Sequence, residues 1–258
     1  MVSYANILNN YRPVSLKEMD SIQLMNRTDT KFVFNADLLP ELLALLQPHY
    51  RILEIDDIRD FPYHTTYLDT TDYHFFYQHM SSRPGRYKVR YRQYEATGGA
   101  FLEVKLKNRR NRTIKWRISS CNHNALPNDH ELEFLNHHVQ QVAAGLHPVL
   151  ENRFQRITLA GLNTKERITI DYHLSFRSPE GSEKHLPFLA ILELKREGFT
   201  GNTPVTNALK SFNLHPTGFS KYCIGSVLVR NMDKKNILKS KLLLINKLHN
   251  ESTQHSFA

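Results

Sequence analysis

The sequence predicts an α+β protein built on an antiparallel β-barrel with helices packed outside. Three observations predict it. Many segments of strand length follow one another, separated by short polar turns. Several of them carry charged residues on one face and apolar residues on the other. Helical patterns flank and interrupt the strands instead of alternating with them. So many antiparallel strands in one domain must hide their edges, and closure does that while giving the polar face a hydrated bore.

Residues 1–14 read as a lead-in. Ser15 to Met25 predicts a short helix, with Ser15 as N-cap and Glu18 at the capping-box spacing. Lys31 to Phe34 reads as a strand. Asn35 then caps a helix in which Leu38, Leu39, Leu42, Leu43 and Leu46 share a face, and Pro48 stops it. Strands are predicted at 51–57, 64–69, 73–78, 86–94, 100–107, 112–118, 152–159, 166–176 and 188–196, with hairpin turns at Thr70-Thr71-Asp72, Thr97-Gly98-Gly99 and Asn108–Asn111. Helices are predicted at 129–143, 203–212 and 219–229. The basic tail from Asn231 reads as frayed or as an amphipathic helix.

The stretch from Arg83 to Arg117 carries the functional signal. Arg86, Lys88, Arg90 and Arg92 share one strand face, opposite Tyr87, Val89 and Tyr91. Glu103, Lys105 and Lys107 do so in the next strand, and Lys115 and Arg117 in the third. Like charges two residues apart sit roughly 6–7 Å from each other. At an effective dielectric near 20 each such pair repels by about 2–3 kcal/mol. Three neighbouring cationic faces therefore read as a wall that holds a polyanion. In the strand 166–176, Arg167, Thr169, Asp171 and His173 alternate with Ile168, Ile170, Tyr172 and Leu174. Glu193 and Lys195 interrupt the otherwise apolar LAILELK, where burial without partners would be costly. They form either an ion pair or part of a polar cavity.

The chain has 258 residues and a formal net charge of +9, which favours anionic partners. Its two cysteines, Cys121 and Cys223, form no CxxC pair, and no apolar run approaches a membrane span. With no signal-peptide layout at the N-terminus, the expectation is a cytoplasmic protein. No Walker-type loop, HExxH or GxSxG occurs. Arg and Lys among acidic residues suggest phosphate handling, with a carboxylate holding a divalent metal. Glu193 is the leading metal candidate, followed by Glu103 and Asp171.

In order along the chain, Thr30-Lys31-Phe32, Tyr67-Leu68-Asp69-Thr70, Lys88-Val89-Arg90-Tyr91-Arg92, Glu103-Val104-Lys105, Phe154-Gln155-Arg156, Arg167-Ile168-Thr169-Ile170-Asp171, Leu192-Glu193-Leu194-Lys195 and Phe219-Ser220-Lys221-Tyr222 resemble the VTC-type polyphosphate polymerase domain, within the triphosphate tunnel metalloenzyme (CYTH-like) superfamily. The resemblance spans about residues 15–230. It implies an eight-stranded antiparallel tunnel and transfer of the γ-phosphate of ATP onto a polyphosphate chain with Mn²⁺ or Mg²⁺. By that resemblance and the strand faces together, Arg90, Arg92 and Lys221 are candidate catalytic residues. Lys31, Lys88, Lys105, Lys115, Arg156, Arg167, Lys195 and Ser220 are candidate substrate-binding residues, and Glu193 and Glu103 candidate metal ligands. Phe154 stands where the family motif often has Tyr. Arg27, Asp29 and Lys31 occupy the superfamily's ExExK position, a departure that argues against a plain triphosphatase.

The expected organisation is a lead-in at 1–14, a tunnel domain at 15–230 and a tail at 231–258. ATP and inorganic polyphosphate are the expected ligands, nucleic acid is disfavoured, and a membrane protein partner and peripheral membrane association remain open. A triphosphatase on the same tunnel and a non-catalytic polyanion-binding module are the alternatives.

Overall fold

The structure is a computed structural model that describes residues 4–21, 27–110, 112–122, 126–139, 143–198 and 201–255. Among these, eleven strands and eight α-helices follow one another. In chain order they are α1 (Ala5–Asn9), β1 (Arg12–Val14), α2 (Leu16–Ser21), β2 (Arg27–Asn35), α3 (Leu39–Leu46), β3 (Tyr50–Leu53), β4 (Phe61–Asp69), α4 (His74–Met80), β5 (Arg86–Tyr94), β6 (Gly99–Lys107), β7 (Thr113–Ser119), α5 (Asp129–Val139), β8 (His147–Gly161), β9 (Glu166–Arg177), β10 (Glu183–Leu186), β11 (Leu189–Glu197), α6 (Pro204–Ser211), α7 (Lys221–Val229) and α8 (Lys239–His255).

Eight strands form one continuous path in the order β2-β11-β9-β8-β4-β5-β6-β7, and every pairing along it is antiparallel. Three short strands extend the sheet at its margin: β1 beside β3, β3 beside β8, and β10 beside β9. Among the described residues no strand pairing joins β2 to β7, so the curled sheet is not a strictly closed barrel.

The convex side carries most of the helices. Phe32, Phe34, Ile168, Ile170, Leu192 and Leu194 bury against the leucines of α3 and against Val205 and Leu209 of α6. Val89, Tyr91, Leu102 and Val104 bury against Leu135 and Val139 of α5. These are the apolar halves of the strand alternations, so hydrophobic burial points the charged halves inward. Helix α7 packs on the other side, in a cluster that joins inward-facing Val33, Tyr67 and Ile191 and also takes Phe76 and Met80 of α4 and Ile245 and Leu248 of α8. Its Tyr222 stacks on Tyr67 with ring centroids 5.0 Å apart, and Tyr67 shares the Arg90 face. Gly225 lets the helix approach so closely that a Cβ there would lie 2.4 Å from Phe176 and 2.8 Å from Leu150.

Several expectations are corrected. Residues 73–78 form helix α4, not a strand. The aromatic run HFFYQ has strand propensity, but buried Asp69 accepts from the backbone N–H groups of Phe75 and Phe76, both at 2.9 Å, and nucleates the helix. Alternation in β9 does not run on to His173. That residue has φ +50, the register shifts beside it between Arg153 and Gln155, and Leu174 and Phe176 turn inward onto α7. The strands β1 and β10 were not legible. The capping box is present, with Ser15 N–H donating to Glu18 and Glu18 N–H to Ser15 Oγ. The predicted helix ends at 22–25 and 140–142 lie outside the described residues. The tail forms α8, whose Ile245 and Leu248 are buried. No helix among the described residues is long and apolar enough to cross a membrane.

Gly225→Ala should destabilise the fold by about 1–3 kcal/mol through overpacking against Phe176 and Leu150. Thermal unfolding would then show Tm lowered by several degrees. An unchanged Tm would show that α7 does not rest on the sheet as described.

Candidate functional site

The strand registers fix which side chains share the concave face. Across β4, β5, β6 and β7 the pairings run Tyr67–Arg90–Glu103–Arg117, with Lys88–Lys105–Lys115 one row towards α7 and Arg92–Phe101–Ser119 one row away from it. On the other half of the sheet, Arg156 pairs with Asp171, Thr169 with Glu193, Glu193 with Lys31, and Arg167 with Lys195. Ser220 and Lys221 join them from the N-terminus of α7: Lys88 Nζ donates to Ser220 Oγ at 3.1 Å, and Lys221 Nζ bonds Asp171 Oδ2. The candidate residues named from sequence thus meet around one interior, including those separated by more than 130 positions.

Three carboxylates organise the cations. Glu103 is fully buried; Arg90 donates to its Oε2 from Nε at 2.8 Å and Nη2 at 2.6 Å, and Lys115 takes Oε1. Asp171 receives Arg156 in a fork, at 2.5 and 2.7 Å, and also Lys221. Glu193 bonds Lys31 and lies 3.3 Å from Lys195. Burial alone would raise all three acids. The neighbouring cations override it and hold each well below the usual carboxylate range: Arg90, Arg92 and Lys115 for Glu103, Arg156 and Lys221 for Asp171, Lys195 and Lys31 for Glu193.

The lysines shift the other way. Arg90 and then burial push Lys105 well below its ordinary value. Burial lowers Lys88 and Lys195. Burial brings Lys221 down to about 8 against the pull of Asp171. An interior that makes protonated lysine this costly favours an incoming anion.

Two aromatic rings support the cations, Phe154 of the family motif and Tyr63, which sequence reading did not single out. The Tyr63 ring lies 4.8 Å from the Arg156 guanidinium and 5.5 Å from that of Arg92, while Lys221 Nζ sits 4.4 Å over Phe154. The signal for Tyr63 was the alternation Phe61, Tyr63, Thr65, Tyr67 in β4. The buried Thr65 Oγ1, Thr169 Oγ1 and Arg92 Nε on this face have no protein partner. Of the ExExK equivalents, Asp29 is exposed near the sheet margin and the Arg27 side chain lies outside the described residues.

The donor set limits where a divalent metal fits. Among the described residues no three acidic, His or Cys side chains converge. Both oxygens of Glu103 and of Asp171 are taken by cations, so neither has a free donor. Glu193 is faced by lysines too, Lys31 on Oε1 and Lys195 3.3 Å from Oε2, so as a single carboxylate anchor it would have to exchange a lysine for the metal. One carboxylate plus substrate phosphates is a common donor set for Mg²⁺.

An antiparallel sheet curled around Arg, Lys and paired carboxylates defines a domain with a strongly cationic interior that favours anions. The chain belongs to the VTC domain family, whose family model matches residues 26–230. No curated protein matches the chain. Among solved structures it is similar to an adenylate cyclase candidate from Vibrio parahaemolyticus, at 13% identity over 78% of this chain and 97% of that one, TM-score 0.46. It is similar to another from Bacillus halodurans, at 14% identity over 76% and 96%, TM-score 0.47. A Hippeastrum adenylyl cyclase candidate described as revealing a dominant triphosphatase activity gives 13% identity over 82% and 99%, TM-score 0.47. At these scores the family match is the finding that identifies the chain.

Two outcomes are expected. Glu103→Gln leaves buried Arg90 without its counter-charge and should cost about 3–5 kcal/mol, read as a lowered Tm that added tripolyphosphate partly restores. Lys221 is charged below about 8 and neutral above it, so tripolyphosphate affinity measured by calorimetry should fall as pH rises through that value. Lys221→Arg, charged throughout, should move the fall to higher pH.

Proposed function

We propose that this chain is a metal-dependent phosphotransferase that moves the γ-phosphate of ATP onto the end of an inorganic polyphosphate chain. The observation that carries the reading is the convergence of Arg90 and Arg92 of β5, Arg156 of β8 and Lys221 of α7, three separate elements, on one concave face of a VTC-family domain.

Phosphoryl transfer passes through a loose transition state, so positioning and charge neutralisation supply most of the catalysis. In this reading Arg90, Arg92 and Lys221 neutralise charge on the transferring group. Lys31, Lys88, Lys105, Lys115, Arg156, Arg167, Lys195 and Ser220 hold the triphosphate and the acceptor chain. The acceptor's terminal phosphate oxygen forms the new bond to Pγ, the bond from Pγ to the β,γ-bridging oxygen breaks, and ADP leaves. Glu193 would hold Mn²⁺ or Mg²⁺, which would supply positive charge against the phosphate anions.

The acceptor oxygen is already ionised, so no strong general base is required. The interior suits that requirement. Its three carboxylates are held well below the ordinary range by paired cations, which makes them poor bases for activating water. This favours transfer over hydrolysis on the same tunnel.

Incubation with ATP and Mn²⁺ or Mg²⁺, followed by gel separation, should give long phosphate chains. ADP and orthophosphate alone would assign a triphosphatase, and binding without turnover a non-catalytic module. Arg90→Ala and Lys221→Ala should each lower polymer yield by roughly 10²–10³-fold while circular dichroism stays native. Undiminished yield in both would overturn the proposal.

A further inference from the structure

The inner cationic wall does not end at the sheet margin. Its rows on β5, β6 and β7 continue past Lys88–Lys105–Lys115 to Arg86 paired with Lys107. Beyond Lys107 the chain turns through Asn108, Arg109, Arg110 and Arg112 into β7. No Asp or Glu occurs between Glu103 and Asp129, nor between Asp72 and Glu95. The β5-β6-β7 end of the sheet therefore carries Arg83, Arg86, Lys107, Arg109, Arg110 and Arg112 with no acid of its own.

The tip is built, not slack. Asn108 Oδ1 accepts from the backbone N–H groups of Arg110 and Arg112, both at 3.0 Å, and Asn108 N–H donates to the Arg112 carbonyl at 2.9 Å. Gly85 N–H donates to the Lys107 carbonyl at 2.9 Å, and Arg86 Nη1 to the Arg83 carbonyl at 3.0 Å. Arg83, Arg109, Arg110 and Arg112 are exposed, and among the described residues none of them has an ion-pair partner. Elsewhere on the concave face Glu103, Asp171 and Glu193 each offset two cations. Here the uncompensated charge persists from the interior to the surface.

We propose that the β6–β7 tip is an exit track that binds linear inorganic polyphosphate outside the transfer site. Polyanion segments between Lys88–Lys105–Lys115 and Arg109–Arg110–Arg112 then stay neutralised along their length. The chemistry favours polyphosphate over nucleic acid. Single-stranded nucleic-acid sites interleave cations with stacking rings, whereas the 107–112 tip contains no aromatic residue, and Val89, Tyr91 and their neighbours bury on the opposite face. The proposal rests on the phosphate reading of the interior given above.

The test compares the wild-type chain with the triple variant Arg109→Gln/Arg110→Gln/Arg112→Gln. Affinity for long-chain inorganic polyphosphate and for tripolyphosphate is measured by calorimetry across a salt series. The variant should bind the long chain at least tenfold more weakly and lose about 2 from its log–log salt slope, on the order of 0.7 per phosphate contact removed. Its tripolyphosphate affinity should not change, and the triple Lys variant should retain long-chain binding. Unchanged long-chain affinity, or an equal loss for tripolyphosphate, overturns the track. Equal or tighter binding of single-stranded DNA at the tip overturns its assignment to polyphosphate. Wild-type protein that binds neither phosphate ligand overturns the interior reading as well, whereas tripolyphosphate binding without any preference for the long chain overturns the track alone.

Discussion

Repulsion among cations gathered on one concave sheet face is the constraint that the rest of the structure answers. The answer is a repeated unit of one carboxylate between two bases: Glu103 between Arg90 and Lys115, Asp171 between Arg156 and Lys221, Glu193 between Lys31 and Lys195. Each unit removes enough repulsion for the protein to fold with these groups inside, yet keeps one net positive charge. A fully balanced interior would be more stable and would have no call for an anion. A site left in this electrostatic deficit is completed by its ligand.

Helix α7 links the two halves of that arrangement. Its N-terminal Ser220 meets Lys88 from one wall and its Lys221 meets Asp171 from the other, while Tyr222 bonds Asp69 and stacks on Tyr67. Asp69 in turn starts α4. Apolar packing thus sets the height of α7, and polar contacts set its direction. The position of the Lys221 ammonium depends on both, which is why a glycine four residues further along the helix matters to a phosphate site.

The face-sharing of Arg86, Lys88, Arg90 and Arg92, and of Glu193 with Lys195, could be read from period-two alternation, because apolar burial leaves each strand a single orientation. The ordered motifs supplied the family. What alternation could not supply was partnership: that Glu103 serves Arg90 and Lys115, not a metal, follows from register across strands far apart in the chain. The bulge at His173 was hidden for a related reason. One residue in a left-handed conformation reverses every later side chain, and nothing in the run Asp171 to Phe176 marks it. Residues 73–78 carry strand propensity, but a helix forms there because buried Asp69, before the turn, caps the N–H groups of Phe75 and Phe76.

Among the described residues β2 and β7 do not pair, and this has a topological meaning. A sealed cylinder can take up a linear molecule only by threading a free end, and must pay out everything it makes through the same lumen. Here β7 is the last strand of the path, and Lys115 and Arg117 on its inward face stand exposed at that edge, not enclosed as they would be in a sealed cylinder.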